Sequence, residues 1–328
     1  MTDDAVAPVI AVMLILAAIV TFLSIWNAVY VPSMKQSTEV SHLQTVESAF
    51  LHISSDIDRA VSTRQDDLTL SEPVPLGGGE FFFNTLRSSG SLAVRNESEP
   101  VYYLTHYDAN NRVMGEMDGT LVTISYEPQG NFWQDQGYRW QYGYLNVTKH
   151  RTLRSPLRYY NMTDVTNDFR DAGSLAVFAG SFVAVEYTIN RTPVQNTTPD
   201  LINNRFTFTP PAGTCSGIDL SAVNLSASPN HRFVSSNGFG TLQVSTNVTA
   251  VPYYGVSNIT FYAGGNPFGN ATFRNWNASF SKLAAACENN IAYRPEYSGN
   301  DFSVYSIRKD VSPVNVTLSV VTIEISAY

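Results

Sequence analysis

The sequence contains few of the side chains from which catalytic and metal sites are built. Its 328 residues include only two cysteines and five histidines. None of these lie at the spacing of zinc ligands, and the sequence has no H-E-x-x-H pair, no G-x-S-x-G elbow and no P-loop. The acidic segments "DVTND" and "DANN" do not fit an EF-hand loop and are more typical of turns. We therefore predict no catalytic residues, no metal site and no cofactor, and an enzyme is the least supported function class.

Charged residues are also scarce, at 15% of the chain, and they leave a net charge of −8. A protein this acidic is a poor partner for nucleic acid, whose phosphates require a basic surface. One basic segment, "KHRTLRSPLRYY", does occur. A solvated hairpin or a contact with an acidic neighbouring subunit explains it better than a nucleic-acid site does, so we predict no nucleic-acid partner.

Charge is wholly absent between Asp4 and Lys35, where the sequence reads "AVAPVIAVMLILAAIVTFLSIWNAVYVPSM". About 20 apolar residues are enough to cross a bilayer, and a helix over this run would be roughly 45 Å long. A secretory signal has a positive segment before its apolar run and an A-x-A cleavage site after it. Here Asp3 and Asp4 stand where the positive charge belongs. We therefore predict a retained helix of membrane length rather than a secretory signal that is removed.

A second helical pattern follows at once. Apolar residues recur at steps of three and four, which places one apolar stripe on an otherwise polar helix. The stripe consists of Val40, Leu43, Val46, Phe50, Ile53, Ile57 and Val61. Pro32 lies between the two patterns and should either kink a continuous helix or break it, and the continuous helix is favoured because the periodicity resumes so soon. We assign residues 1–62 to this N-terminal helix, with a kink near Pro32.

Residues 63–328 have the composition of a β-rich domain. Short runs rich in Val, Ile, Thr, Tyr and Phe alternate with clusters of Gly, Pro, Asn and Ser, and about nine of these runs are typical of strands. One helix, "NWNASFSKLAAACENN", is expected among them, capped by Asn275 or Asn277 and ended by Asn289 or Asn290. The predicted fold class is α+β, with a long N-terminal helix followed by a mostly antiparallel β-sandwich-like head. That head is either one sandwich or two sub-domains that split near residue 200.

Eleven N-x-S/T sequons follow the N-terminal helix, where roughly four or five would occur by chance at this composition. Such sequons are acceptors for N-linked sugars in exported proteins. The alternative is that Asn, Ser and Thr are simply common in β-rich surface loops. The predicted acceptors are Asn96, Asn146, Asn161, Asn190, Asn196, Asn224, Asn247, Asn258, Asn270, Asn277 and Asn315.

The two cysteines, Cys215 and Cys287, both fall within the head. A disulfide between them is the favoured interpretation. The alternative is a pair of free buried thiols, because Cys287 lies in the apolar segment "LAAAC" and spacing does not show proximity. If paired, they close a loop for which the chain-entropy model gives roughly 4 kcal/mol of stabilisation. Sequons and cysteines together predict that the head lies outside the cell.

An aromatic segment, "NFWQDQGYRWQYGYLN", carries large rings on alternate residues of a predicted strand. Alternation would place Tyr138, Trp140, Tyr142 and Tyr144 on one face. The favoured interpretation is the inner face of a sandwich, since large aromatic residues dominate cores. The alternative is a platform on which sugars stack, to which Trp133 would also contribute.

The start of the apolar run, "AVAPVIAVMLILAAIV", resembles the "AVSPVIGV" start of archaeal type IV pilin and archaellin-like subunits. Ala7 stands for the usual Ser and Ala11 for the usual Gly. The resemblance implies a class III signal that a prepilin peptidase cuts before Ala5, a hydrophobic N-terminal helix and an extracellular β-rich head. Asp3 and Asp4 replace the Lys or Arg that usually precedes the cut in that family.

A helix that is apolar on every face is stable in lipid before assembly and equally stable among copies of itself in a filament core. We therefore expect a structural subunit of an archaeal type IV pilus-like surface filament, with adhesion as a candidate role of the glycosylated head. Its partners would be copies of itself, membrane lipid before assembly, the prepilin peptidase and the pilus assembly machinery. The alternative is a non-polymerising, membrane-anchored extracellular binding protein. The residues expected to mediate insertion and assembly are Ala5, Pro8, Ile10, Leu14, Ala17, Phe22, Trp26 and Pro32.

Overall fold

A single long helical rod begins the described part of the chain. Helix α1 (Val6–Ile25) passes through a π-helical turn (Trp26–Tyr30) into helix α2 (Val31–Thr63) without a break. The computed structural model describes residues 6–77, 88–130, 135–149, 153–191, 213–295, 301–306 and 314–328.

The π-helical turn lies immediately before Pro32. Proline has no N–H to donate to the carbonyl four residues back, and its ring would clash with that carbonyl in a regular α-helix. A wider turn relieves this clash, and the backbone at Tyr30 and Val31 keeps helical φ and ψ angles. The continuous helix is therefore observed, and the alternative of a break at Pro32 is not.

Sixteen strands form three sheets in the described part of the chain. The strands are β1 (Thr69–Pro75), β2 (Ser89–Asn96), β3 (Tyr102–Tyr107), β4 (Val113–Gly119), β5 (Val122–Gln129), β6 (Gln136–Gln141), β7 (Tyr144–Lys149), β8 (Leu153–Pro156), β9 (Val183–Arg191), β10 (Gly213–Ala227), β11 (Phe233–Ser236), β12 (Phe239–Val256), β13 (Asn258–Ala263), β14 (Ile291–Pro295), β15 (Asp301–Ser306) and β16 (Val314–Ala327). The first sheet has the order β1-β12-β16-β10-β9, the second β11-β2-β5-β6-β7-β8 and the third β14-β15-β13-β3-β4. Among the described strands only β10 and β16 pair in parallel, so the predicted α+β fold with a mostly antiparallel head is confirmed.

One hydrophobic core joins helix α2 to the sheets. The apolar stripe packs against β1 and β12 of the first sheet and against β6 and β7 of the second, while Val40 alone of the predicted stripe stays exposed. The second half of the helix is therefore part of the head, and the boundary predicted at residue 62 cuts through one packed unit. The buried residues of α2 that join this core are Leu43, Val46, Ala49, Phe50, Ile53, Ile57, Ala60 and Val61.

Strands from both sides of residue 200 pair with each other in every sheet. β9 pairs with β10 in the first sheet, β11 with β2 in the second and β13 with β3 in the third. Each sheet thus requires strands from both halves of the chain. Two sub-domains that split near residue 200 are not observed.

Beyond α2, the described part of the head carries three helices, of which the sequence predicted one. Helix α5 (Pro267–Ala286) is capped by Asn266, whose Oδ1 accepts from the Gly269 N–H at 2.7 Å. It therefore begins before the predicted caps at Asn275 and Asn277, and it ends at Cys287 rather than at Asn289 or Asn290. Helix α3 (Met162–Arg170) contains the segment "DVTND", which is typical of turns, and helix α4 (Ser174–Gly180) is likewise not predicted from the sequence.

A disulfide connects the start of β10 to the end of α5. Cys215 and Cys287 are bonded, with their Cα atoms 5.4 Å apart, which confirms the predicted pair. The Asn290 side chain fastens the same junction, because its Oδ1 accepts from the Cys215 N–H at 3.0 Å and its Nδ2 donates to the Cys215 carbonyl at 2.9 Å. Strand and helix are thus held together by one covalent bond and two hydrogen bonds.

Candidate functional site

The most unusual surface of the protein is the apolar helix before residue 31. From residue 8 to residue 30 every side chain is exposed except that of Trp26, which is half-buried. Leu14 and Phe22, for example, are 65% and 63% exposed. Burying apolar surface gains about 25 cal/mol per Å², so a helix with this composition requires lipid or protein around it. The exposed large apolar side chains of this segment are Val9, Ile10, Val12, Met13, Leu14, Ile15, Leu16, Ile19, Val20, Phe22, Leu23, Ile25, Val29 and Tyr30.

The dimensions of this helix match a bilayer. The 20 residues of α1 and the five of the π-helical turn span roughly 38 Å at 1.5 Å per residue, against about 30 Å of hydrocarbon. Within the described residues one helix, Pro8–Thr63, is long and apolar enough to cross a membrane by length and composition. It is compatible with membrane insertion and equally with a signal sequence.

The few polar side chains of α1 bond to their own helix. The Thr21 hydroxyl donates to the Ala17 carbonyl and the Ser24 hydroxyl to the Val20 carbonyl, both at 2.8 Å. Such bonds leave no hydroxyl that requires water, so the helix suits an apolar surrounding.

Aromatic rings mark the end of the apolar helix that is nearer the head. Trp26 stacks on Tyr30 with ring centroids 5.3 Å apart and lies 6.2 Å from Phe22. Trp and Tyr favour the boundary between hydrocarbon and water, so this is where a membrane surface would meet the protein. Of the predicted assembly residues, Pro8, Ile10, Leu14, Ala17 and Phe22 are exposed on α1, Trp26 and Pro32 are half-buried, and Ala5 lies outside the described residues.

The head holds α2 through the aromatic residues of β6. The Trp140 Nε1–H donates to the Ser54 hydroxyl at 3.0 Å, and the Tyr138 hydroxyl donates to the Glu47 carboxylate at 3.2 Å. Both rings are almost fully buried. The aromatic strand is therefore a packing face for the helix, and its apolar rings and polar edges both have partners on α2.

A third contact of the same kind comes from the neighbouring strand. The Tyr126 hydroxyl on β5 lies 3.1 Å from His42 Nε2. Burial raises the pKa of Tyr126, which stays protonated, and burial lowers the pKa of His42. Sequence analysis did not identify His42, Glu47 or Ser54 as contact residues, and the available signal was their position beside the apolar stripe of α2.

The sugar-stacking interpretation of the aromatic segment is not supported by this packing. Tyr138, Trp140 and Tyr144 are 1%, 0% and 9% exposed, so their faces are not available to a sugar. Tyr142 is half-buried and belongs to the tight turn between β6 and β7, with φ of 54°. It therefore does not continue the predicted strand face. Trp133 lies outside the described residues.

The predicted glycan acceptors differ in accessibility. Asn146 is 3% exposed, so the folded head leaves little room for a glycan on this side chain. Asn196 lies outside the described residues. Asn224, Asn258, Asn270 and Asn277 are half-buried. The exposed acceptors are Asn96, Asn161, Asn190, Asn247 and Asn315.

Titratable groups in the described part of the head do not form a metal-binding cluster. Among the described residues, no three His, Cys, Asp or Glu side chains lie close enough to hold a metal ion. His106 is fully buried against Tyr253, with ring centroids 4.9 Å apart. Burial lowers the pKa of His106 to about 4, although the backbone of Gly115 partly opposes this. The ring is therefore neutral and packs as part of the core.

The apolar helix and its attachment to the head are thus the features from which a function must be argued. No protein-family model, no curated protein and no solved structure matches this chain.

Proposed function

We propose that this chain is a structural subunit of an archaeal type IV pilus-like surface filament. The observation that carries the proposal is the helix before residue 31, which is exposed and apolar on every face and continues without a break into the core of the head. Such a helix is compatible first with lipid and then with copies of itself. The prepilin peptidase and the assembly machinery are the partners that the resemblance implies.

The rigid attachment of helix to head supports assembly. Contacts that repeat head to tail without closing a ring generate a helical filament, and they require each subunit to present its surfaces at a fixed angle. The core packing of α2 and its hydrogen bonds to Trp140, Tyr138 and Tyr126 fix that angle. A packed helix core would then display the heads at the cell surface, where glycans and adhesion are the proposed properties.

A second candidate is a membrane-anchored binding protein that does not polymerise. The length of the apolar helix favours it, because roughly 38 Å is enough for one crossing of a bilayer. In this case the side chains of α1 would contact only lipid.

Replacing Ala17 with Trp separates the two candidates. The variant keeps the helix apolar, so insertion in the membrane is preserved, but the larger ring disturbs close packing between helices. We expect surface filaments, sheared from cells and identified by mass spectrometry, to contain the wild-type chain and to lose the Ala17→Trp chain. Ile10→Asp should abolish assembly as well, whereas Ser41→Asp, on the exposed side of α2, should not.

A wild-type chain found only in the membrane fraction and absent from purified filaments would contradict the filament proposal. Filaments that retain the Ala17→Trp and Ile10→Asp chains would contradict the role of α1 as their core.

A further inference from the structure

A cleft of about 290 Å³ lies where helix α2 meets the β6–β7 turn and helix α4. Asp58 of α2 lines one side, and Arg158 and Tyr159, which follow β8, contribute to the lining. Tyr159 is half-buried and presents part of its ring to the cleft, and the rings of Tyr144 and Phe178 are buried behind the surface of the cleft. The cleft therefore combines a carboxylate, a guanidinium and aromatic rings in one small space.

The two charged side chains do not neutralise each other by direct contact. Within the described residues no hydrogen bond and no ion pair of 4 Å or less joins the side chains of Asp58 and Arg158. Surrounding protein raises the pKa of Asp58 to about 6, and the positive charge of Arg158 only partly opposes this. Both groups thus keep hydrogen-bonding capacity that a ligand between them could use.

The wall opposite α2 is held in place by a partly buried network of hydrogen bonds. The Asp168 carboxylate accepts hydrogen bonds from the Tyr159 hydroxyl at 3.2 Å, from the Ser174 hydroxyl at 3.4 Å and from the Leu175 N–H at 2.7 Å. These bonds fix the Tyr159 ring and the start of α4 before any ligand arrives. A lining that is already ordered lowers the entropy cost of binding.

We propose that this cleft binds one pyranose ring of a saccharide. Its volume is near the lower end of small-molecule sites, which is the size range of a single sugar. Sugar hydroxyls both donate and accept, so they can donate to Asp58 and accept from Arg158, while the apolar C–H face of the sugar ring packs against the half-buried ring of Tyr159. A simple anion would be repelled by the carboxylate and a simple cation by the guanidinium, whereas neighbouring hydroxyls of one sugar can bond to both groups at once.

The sugar has two sources that share this chemistry. One is a saccharide from outside the protein. The other is a glycan on the exposed sequon at Asn161, which stands three residues after Arg158 in the chain. The inference goes beyond the proposed filament role and does not depend on it, because the unassembled chain carries the whole cleft.

The test uses the full-length chain purified from its native host in a zwitterionic detergent, since a glycoside detergent would itself present sugars. Glucose, galactose, mannose and N-acetylglucosamine are the probes, and saturation-transfer NMR and calorimetry measure their binding. We expect at least one of them to bind, and we expect Asp58→Ala and Arg158→Ala each to weaken that binding at least about tenfold, as for a lost hydrogen bond to a charged group. Asp56→Ala, on the same helix but outside the cleft, is the matched control and should bind as the wild type does.

An Asn161→Gln variant distinguishes the two sources. If the chain's own glycan occupies the cleft, the wild type does not bind the free sugars and Asn161→Gln does. If the ligand comes from outside, both bind equally. The proposal is wrong if none of the four sugars binds to either protein, or if binding is unchanged in Asp58→Ala and Arg158→Ala while both variants keep the thermal unfolding midpoint of the wild type.

Discussion

The head should fold without the apolar helix but not without the second half of α2. We consider two truncations, one that removes residues 1–34 and one that removes residues 1–61. The second deletes the large side chains at Leu43, Val46, Phe50, Ile53 and Ile57, all of them at most 4% exposed, together with Val61. At about 1.5–3 kcal/mol for each of these six buried side chains, the loss is roughly 9–18 kcal/mol, which equals or exceeds the whole stability of a typical domain, about 5–15 kcal/mol.

The chain that starts at Lys35 should therefore be soluble and unfold cooperatively in urea, while the chain that starts at Ser62 should aggregate or stay unfolded. Fluorescence of the buried residues Trp140 and Trp276 reports the transition. A single substitution tests the same argument on the longer truncation. Phe50→Ala should cost about 3–5 kcal/mol, and Val40→Ala, at an exposed position of the same helix, should cost less than about 0.5 kcal/mol. A Ser62 truncation that unfolds at the same urea concentration as the Lys35 truncation would refute the reasoning.

Two further predictions concern the acid stability and the covalent bond of the head. Burial holds the pKa of His106 near 4, whereas it is about 6.5 in the unfolded chain. The stability that depends on a neutral His106 is therefore fully present above pH 6.5 and is lost as the pH falls toward 4. His106→Phe should reduce the difference in unfolding free energy between pH 7 and pH 4.5 by about 2 kcal/mol, measured by urea titration at both values, and an unchanged difference would contradict a buried neutral ring. Replacing both Cys215 and Cys287 with Ser should cost about 4 kcal/mol. Adding reductant should lower the melting temperature of the wild type toward that of the double variant and leave the melting temperature of the variant unchanged. A wild type whose melting temperature does not change with reductant under unfolding conditions would contradict the disulfide.

The helical pattern of α2 was predictable because its spacing of three and four residues has a physical cause. Leu43, Phe50 and Ile57 face one way on any helix, whatever covers them. The surface that buries this apolar stripe was not predictable. Lipid, a second copy and the head's own sheets all bury an apolar stripe, and the choice depends on contacts with β1, β6 and β12, which are distant in the sequence.

The two missed helices show where local patterns become ambiguous. In α4 the run "LAVFAG" is apolar throughout, so it fits a buried strand as well as a helix. Helix α3 carries Asp, Asn and Thr residues that are common in turns. Two features indicated a helix there. The Asn161 side chain caps its start by accepting from the Asp164 N–H at 3.0 Å, and Val165 and Phe169, four residues apart, are buried on one face.

Strand β1 was missed for a different reason. It contains Pro73 and Pro75, and proline cannot donate to a ladder. The strand is possible because it lies at the edge of the first sheet and pairs only with β12. The edge position follows from the topology of the sheet, and no feature of the local sequence predicts it. The same applies to the cleft beside Asp58, because its two sides lie about a hundred residues apart in the sequence.

The position of β16 in the first sheet determines how the protein can be made. This strand is synthesised after all the other described strands, yet it lies between β12 and β10 and provides ladder partners to both. Until it leaves the ribosome, these two long strands have unpaired edges and the core between them is open. The apolar helix is synthesised before all of these strands, so its apolar side chains have to be shielded throughout this time. Until β16 is added, the incomplete head exposes unpaired strand edges and core surface, and it is then prone to aggregate.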